Sequence, residues 1–269
     1  MQPGGPSGGV IPGTLVVKLG GSVGRDDTLP EDVTKLQSTG SRIVLVHGGG
    51  PLITHWIKRI GKKAHFVDGL RYTDSETLEV VRMVLGGLVN GEVTARITAA
   101  GGRAVGLSGS DDNLLVAVQR AERHGLVGEV QAVNPRPIEA LLEAGYIVVV
   151  APLAVTQAGE FLNVNADTAA GEIALALGAD RLVFLTDVDG ISDGRETLRH
   201  LTPDGARALI ASGVIDGGMI PKVEACVRAL GQTGEAQIVD GRRPHVLLEA
   251  IATRASLGTI VRGAPTVGR

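Results

Sequence analysis

Thr14-Leu15-Val16-Val17-Lys18-Leu19-Gly20-Gly21-Ser22 and Arg42-Ile43-Val44-Leu45-Val46-His47-Gly48-Gly49-Gly50-Pro51 are two versions of one pattern. Each opens on a nearly unbroken apolar run rich in β-branched residues. Such a run has no polar face to turn to water, so it reads as a strand buried on both sides, the kind that builds parallel sheets. Each closes in glycines, which places two flexible, unshielded turns at the carboxyl ends of neighbouring strands.

The same run recurs at residues 104–107, 146–151, 181–186 and 236–239. Stretches with apolar residues at helical spacing lie between, at 51–60, 75–99, 137–143, 166–177, 203–212 and 221–230. Start signals precede several of them: Asp74 before Ser75, Asn134-Pro135 before Pro137, and Thr202 before Pro203. Strands alternating with helices predict an α/β protein with a mainly parallel sheet. Residues 64–73 and 113–133 break the rhythm and read as hairpins turning near Gly69 and Gly125, placed as a lid beside the sheet.

Composition agrees. The 269 residues are 43% hydrophobic but only 2% aromatic, so the core must be layers of Val, Leu, Ile and Ala. A net charge of −3 offers no basic surplus for a nucleic-acid backbone. One cysteine, Cys226, cannot form an intrachain disulfide and reads as a small core residue on a helix. Residues 1–13 are rich in Gly and Pro and lack the charged and apolar regions of a signal peptide, so a disordered leader is expected. No apolar run is long enough for a membrane helix, and a soluble cytoplasmic protein is expected. No linker divides residues 14–269. They are expected to form one domain with two functional halves, 14–153 and 154–269.

In an open parallel sheet, ligands bind beyond the carboxyl ends of the strands. Glycines there let backbone N–H groups approach an anion, and a helix starting near Pro51 would add its positive end. The paired glycine runs therefore predict a phosphate or carboxylate cradle, although either run alone could be only a tight strand-to-helix turn. It is not a Walker A loop, because the lysine precedes the glycines, and no G-x-G-x-x-G follows the first strand.

Of six lysines, Lys18 ends a buried strand and Lys222 follows Asp216-Gly217-Gly218-Met219-Ile220-Pro221. Phosphoryl transfer needs compact positive charge beside the moving group, which lysine supplies. Asp167, in Asn163-Val164-Asn165-Ala166-Asp167, could cap a helix or orient both lysines. Asn163 could donate to a substrate carboxylate, and Arg71, on the first hairpin, could clamp one. The turn Thr186-Asp187-Val188-Asp189-Gly190-Ile191 sits at another strand end, where it is either an ordinary connecting turn or one that suits a nucleotide's ribose and phosphates.

Taken in order, eight segments resemble the amino acid kinase family, in particular its acetylglutamate kinase branch. They are Val17 to Gly21, Val46 to Pro51, Asp68 to Arg71, Val105 to Gly109, Asn163 to Ala170, Leu185 to Val188, Gly217 to Val223 and Asp240 to Arg242. The resemblance implies a three-layer α/β/α sandwich, with an N-terminal half for the amino acid and a C-terminal half for ATP. It implies catalytic roles for Lys18, Lys222 and Asp167. Gly49, Gly50, Arg71 and Asn163 would hold N-acetylglutamate. Gly20, Gly21, Thr186, Asp187, Gly190, Ile191 and Gly218 would line the ATP phosphates and nucleotide. Magnesium would come with ATP, and no protein metal site is expected. Arginine-inhibited members carry an N-terminal helix and an acidic residue near the end, which this chain lacks, so a homodimer without strong arginine feedback is expected. Rival readings are a kinase for carrier-linked aminoadipate or glutamate, favoured by Tyr72, and a non-catalytic nucleotide or amino-acid sensor.

Overall fold

The two opening runs become adjacent parallel strands, β1 (Thr14–Leu19) and β2 (Arg42–His47), paired along their whole length. The structure is a computed structural model, and it describes residues 13–20, 28–253 and 257–263. The expected leader up to residue 12, Gly21, Ser22 and residues 254–256 lie outside the described residues.

Further along the chain come β3 (Phe66–Val67), β4 (Leu70–Arg71), β5 (Ala104–Ser108), β6 (Leu115–Gln119) and β7 (Gly128–Val133). β8 (Ile147–Ala151), β9 (Leu153–Val155), β10 (Phe161–Asn163) and β11 (Arg181–Thr186) follow, then β12 (His200–Leu201), β13 (Glu235–Asp240) and β14 (Thr259–Val261). Eight strands form the main sheet in the order β12-β14-β13-β11-β1-β2-β8-β5. All neighbours are parallel except β13 and β14. β1 is thus the hinge of the topology. The chain leaves it towards β2, β8 and β5, and later fills the other side with β11 and β13, which makes the tip of β1 a switch point.

The helices are α1 (Leu29–Ser38), α2 (Gly50–Arg59), α3 (Ser75–Arg82), α4 (Asn90–Ala99), α5 (Arg136–Glu143), α6 (Ala166–Leu177), α7 (Pro203–Ala211), α8 (Met219–Ala229) and α9 (Val246–Thr253). Alternate residues of each strand point to opposite faces, and the two faces bury different helices. Val16, Val46 and Phe184 pack with Ile138 of α5, Ile173 of α6 and Cys226 of α8. Val17, Leu45 and Leu185 pack with Val33 and Leu36 of α1, Ile97 of α4 and Leu247 of α9. The result is the three-layer α/β/α sandwich.

Two details change the expected plan. The single helix expected at 75–99 is α3 and α4 joined by a π-helical stretch, Met83–Val89, which carries Gly86 and Gly87. The second hairpin, β6–β7, does not stand alone. It joins β9 and β10 in a four-stranded sheet ordered β10-β9-β6-β7, beside the β3–β4 hairpin. Leu153 and Ala154, on either side of the expected division between halves, are consecutive residues of β9.

Candidate active site

Lys18 shares the face of β1 that Val16 turns towards α6. α6 starts at Ala166, and its cap is Asn165, whose Oδ1 accepts from the amides of Asp167 at 2.8 Å and Thr168 at 3.0 Å. Asp167 is therefore not the cap, and its carboxylate is free for other work. Its Oδ1 forms an ion pair with Lys18 Nζ at 2.7 Å. Its Oδ2 accepts a hydrogen bond from Lys222 Nζ at 2.9 Å. Lys222 comes from the first turns of α8, which approaches α6 closely because Gly171 has no side chain: a Cβ there would lie 3.0 Å from Ala225.

The group is nearly dry. Lys18 and Asp167 are 6% and 5% exposed. Burial holds the Lys18 ammonium below its usual range, Asp167 counters that, and Lys222 adds to it. Two lysine amino groups converge on the Asp167 carboxylate where solvent screening is weak, with the exposed Asp187 acting on Lys18 from further off, so an incoming anion would meet both lysines.

Beside it lies a cavity of about 190 Å³ lined by Gly48, Gly49, Gly50, Arg71, Asn163 and Asn165, among others. All four residues expected to hold the amino acid thus meet in one place. A Cβ on Gly49 would lie 2.6 Å from the tip of Leu85 in the π-helical stretch, so a larger residue there would have to push that side chain aside. Arg71 Nη2 donates to the Gly50 carbonyl at 3.0 Å and to Thr54 Oγ1 at 2.8 Å, and its guanidinium lies 4.8 Å over the Phe66 ring. Its Nη1 is buried and meets no partner among the described residues. Asn163 Nδ2 donates one hydrogen to Thr73 Oγ1 at 3.0 Å.

Residues expected around the nucleotide are more scattered. The Gly20 amide donates to Leu185 O at 2.8 Å, so it is spent on the sheet. Thr186 ends β11 beside it, buried, and its Oγ1 donates to the exposed Asp187 at 3.2 Å. Asp187 is close enough to Lys18 to favour its charged form. Gly190 has a φ of 142°, and a Cβ there would run 2.7 Å from Thr259 Oγ1. Ile191 faces the core, and its amide donates to Thr259 Oγ1 at 2.8 Å. Gly218 sits in open space before α8, and its carbonyl lies 3.4 Å from Lys222 Nζ. The sequence reading missed Asn165, Thr54 and Thr73 as supports. Asn165 could have been found, because it directly precedes the first helical residue.

The model of the amino acid kinase family matches residues 13–240. An acetylglutamate kinase of Synechococcus elongatus is 47% identical over 260 residues, 93% of this chain and 86% of that protein. Another, from Pelotomaculum thermopropionicum, is 46% identical over 92% of this chain and 91% of its own length. Among solved structures, N-acetylglutamate synthase from Neisseria gonorrhoeae, complexed with coenzyme A and N-acetylglutamate, superposes with a TM-score of 0.84 at 26% identity. That match covers 95% of this chain and 61% of the synthase. A family match over most of the chain, a parallel sheet whose strand order reverses at β1 and relatives near half identity lead to one conclusion: this chain belongs to the amino acid kinase family, among its acetylglutamate kinases.

Proposed function

We propose that the chain transfers the γ-phosphoryl group of ATP to the side-chain carboxylate of N-acetyl-L-glutamate, giving N-acetylglutamyl 5-phosphate for arginine biosynthesis. The observation that carries this reading is Asp167 gripping Lys18 and Lys222 at 2.7 and 2.9 Å beside a cavity that holds a half-satisfied arginine. The attacking oxygen is already ionised at neutral pH, so no protein base is needed. Lys18 and Lys222 balance the charge on the migrating phosphoryl group, and Asp167 fixes where the two ammonium groups stand. Gly49, Gly50, Arg71 and Asn163 hold the acceptor. Gly20, Gly21, Thr186, Asp187, Gly190, Ile191 and Gly218 form the nucleotide side, Gly190 and Ile191 by shaping the turn rather than by touching phosphate. Magnesium arrives with ATP, held by its phosphates. On this reading residues 14–153 mainly serve the amino acid and 154–269 mainly ATP, with Asn163 reaching into the acceptor site and Gly20 and Gly21 into the nucleotide side.

The test is a coupled ADP-release assay with N-acetylglutamate, glutamate, aspartate and a carrier-linked aminoadipate. Release should depend on N-acetylglutamate, and hydroxylamine should trap the acyl phosphate. Lys18→Ala and Lys222→Ala should each slow turnover about 10²- to 10³-fold while the circular dichroism spectrum stays unchanged. Near-parental turnover in either would remove that lysine from the mechanism. The kinase relatives disfavour the carrier-linked and sensor readings, and the second would need ligand binding with no turnover at all. We place the enzyme in the cytoplasm as a homodimer without strong arginine feedback. No helix among the described residues is long and apolar enough to cross a membrane. Tight inhibition in an arginine titration would contradict the regulatory part.

A further inference from the structure

Behind the glycine wall of the cavity, His47 is 1% exposed at the end of β2, and its two ring nitrogens meet partners of opposite kind. Nδ1 lies 3.0 Å from the Gly48 carbonyl oxygen, which can only accept, so Nδ1 carries the hydrogen. Nε2 lies 3.2 Å from Asn90 Nδ2. That Asn90 atom must be the amide nitrogen, because it also faces the carbonyls of Leu107 at 3.2 Å and Val149 at 3.0 Å. An amide nitrogen offers hydrogens and no lone pair, so its two hydrogens are shared among these three neighbours, and the ring atom facing it, Nε2, cannot donate to it and holds the lone pair. The ring is neutral and locked in one tautomer, and burial pulls its pKa from 6.5 to about 4.

Asn90, the first residue of α4, thus ties the ends of β2, β5 and β8 through one side chain. Gly106 of β5 makes room for it: a Cβ there would run into Asn90 Oδ1. All peptide bonds described are trans. In a trans peptide a carbonyl and the next N–H point in opposite directions. Tying the Gly48 carbonyl to His47 turns the Gly49 N–H away from the core, and that N–H meets no acceptor among the described residues. We infer that His47 and Asn90 are positioning residues that aim the Gly49 amide at the acceptor's carboxylate. The inference rests on the proposed use of the cavity, and neither residue touches the substrate.

The tautomer is read directly on the parent protein labelled with ¹⁵N-histidine, by a long-range ¹H–¹⁵N spectrum between about pH 5.5 and 8.5. One ring, identified by its loss in His47→Asn, should show the neutral Nδ1–H pattern throughout. An Nε2–H pattern or a titration near the ordinary histidine value overturns the proposal. The kinetic arm compares two variants, of which His47→Asn leaves the larger void by one methylene, so lost volume alone would make it the worse of the two. His47→Asn puts an amide nitrogen near the Nδ1 position and should keep kcat/KM for N-acetylglutamate within about threefold of parent. His47→Gln reaches only the Nε2 position and should lower it about tenfold or more, the scale of one hydrogen bond to a charged group, with KM for ATP unchanged. Equal losses in both variants overturn the aiming role. If neither variant folds, the His47 ring is assigned instead by backbone-to-ring connectivities in the parent, and its spectrum still decides. A parent that ignores N-acetylglutamate fails the cavity reading, and the spectrum then judges the His47–Asn90 lock on its own.

Discussion

Arg71 is held on one edge and left open on the other. Its Nη2 is occupied by Gly50 and Thr54, while Nη1 is buried with nothing to donate to among the described residues. A buried, unpaired guanidinium edge is costly unless a ligand satisfies it, so a bound carboxylate should recover that cost. Arg71→Ala should raise KM for N-acetylglutamate about tenfold or more with a smaller change in kcat, and Arg71→Lys should not rescue it, because an ammonium cannot hold Gly50 and a ligand with a fixed fork. An unchanged KM would take Arg71 out of the site. His47 supports a second expectation at this scale. Its folded pKa, about 4, lies below the unfolded value of 6.5, so the unfolded chain binds the extra proton between those values. Stability from this group is full above pH 6.5 and falls as pH drops towards 4, by on the order of 3 kcal/mol. Melting temperatures of parent and His47→Asn should converge over that interval, and parallel curves would show that His47 titrates normally. Lys18, Lys222 and Arg71 stand out as candidates in the sequence because glycines and strand ends flank them. It does not show the lock on His47, because Asn90 lies 43 residues away and only the fold brings the two together.

At the scale of elements, caps decide where the charges point. Asn165 terminates the loop before α6 and takes the first amides, which leaves the Asp167 carboxylate to the lysines. Asn165→Ala should cost about 1 kcal/mol by denaturant unfolding. It should also lower kcat, because Asp167 becomes the nearest acceptor for those amides. Asp74 is a control for that logic. It caps α3 through the Thr77 amide at 2.8 Å and binds Lys62, which holds its pKa down at about 2. Asp74→Ala should lose about 1 kcal/mol too, but with kcat nearly unchanged; if both variants lose activity alike, loss of a cap accounts for both and Asn165 has no special hold on Asp167. The two-face-buried strands were legible because a run such as 42–47 has no other stable home. Strands β9 and β10 were not, since three residues carry no periodicity and the hairpin they form is held in its sheet by β6, about forty residues earlier. The π-helical stretch was hidden inside a helical pattern that its extra residue per turn only slightly disturbs.

Across the whole molecule, the chain fills one side of β1 and then the other, so each half brings part of the machinery to the same strand tips. That order was readable from the alternation of runs and helices; which surface would meet another copy was not. The structure offers a candidate in the helical span that the sequence took for one unbroken helix. Met83 and Leu88 of the π-helical stretch are 60% and 48% exposed, unusual for large apolar side chains. Next to them lies a hollow of about 480 Å³ lined by Arg82, Gly86, Leu153 and Phe161, with Arg82 stacked 3.8 Å over the Phe161 ring. This stretch also carries Leu85, the residue that roofs Gly49, so burying its outer face against a second copy would stiffen the cavity from behind. Met83→Glu with Leu88→Glu should therefore convert a dimer to a monomer in analytical ultracentrifugation and raise KM for N-acetylglutamate more than KM for ATP. A parent that sediments as a monomer removes the homodimer. A variant that stays dimeric moves the interface elsewhere. A monomeric variant with parental kinetics separates assembly from the shape of the substrate cavity.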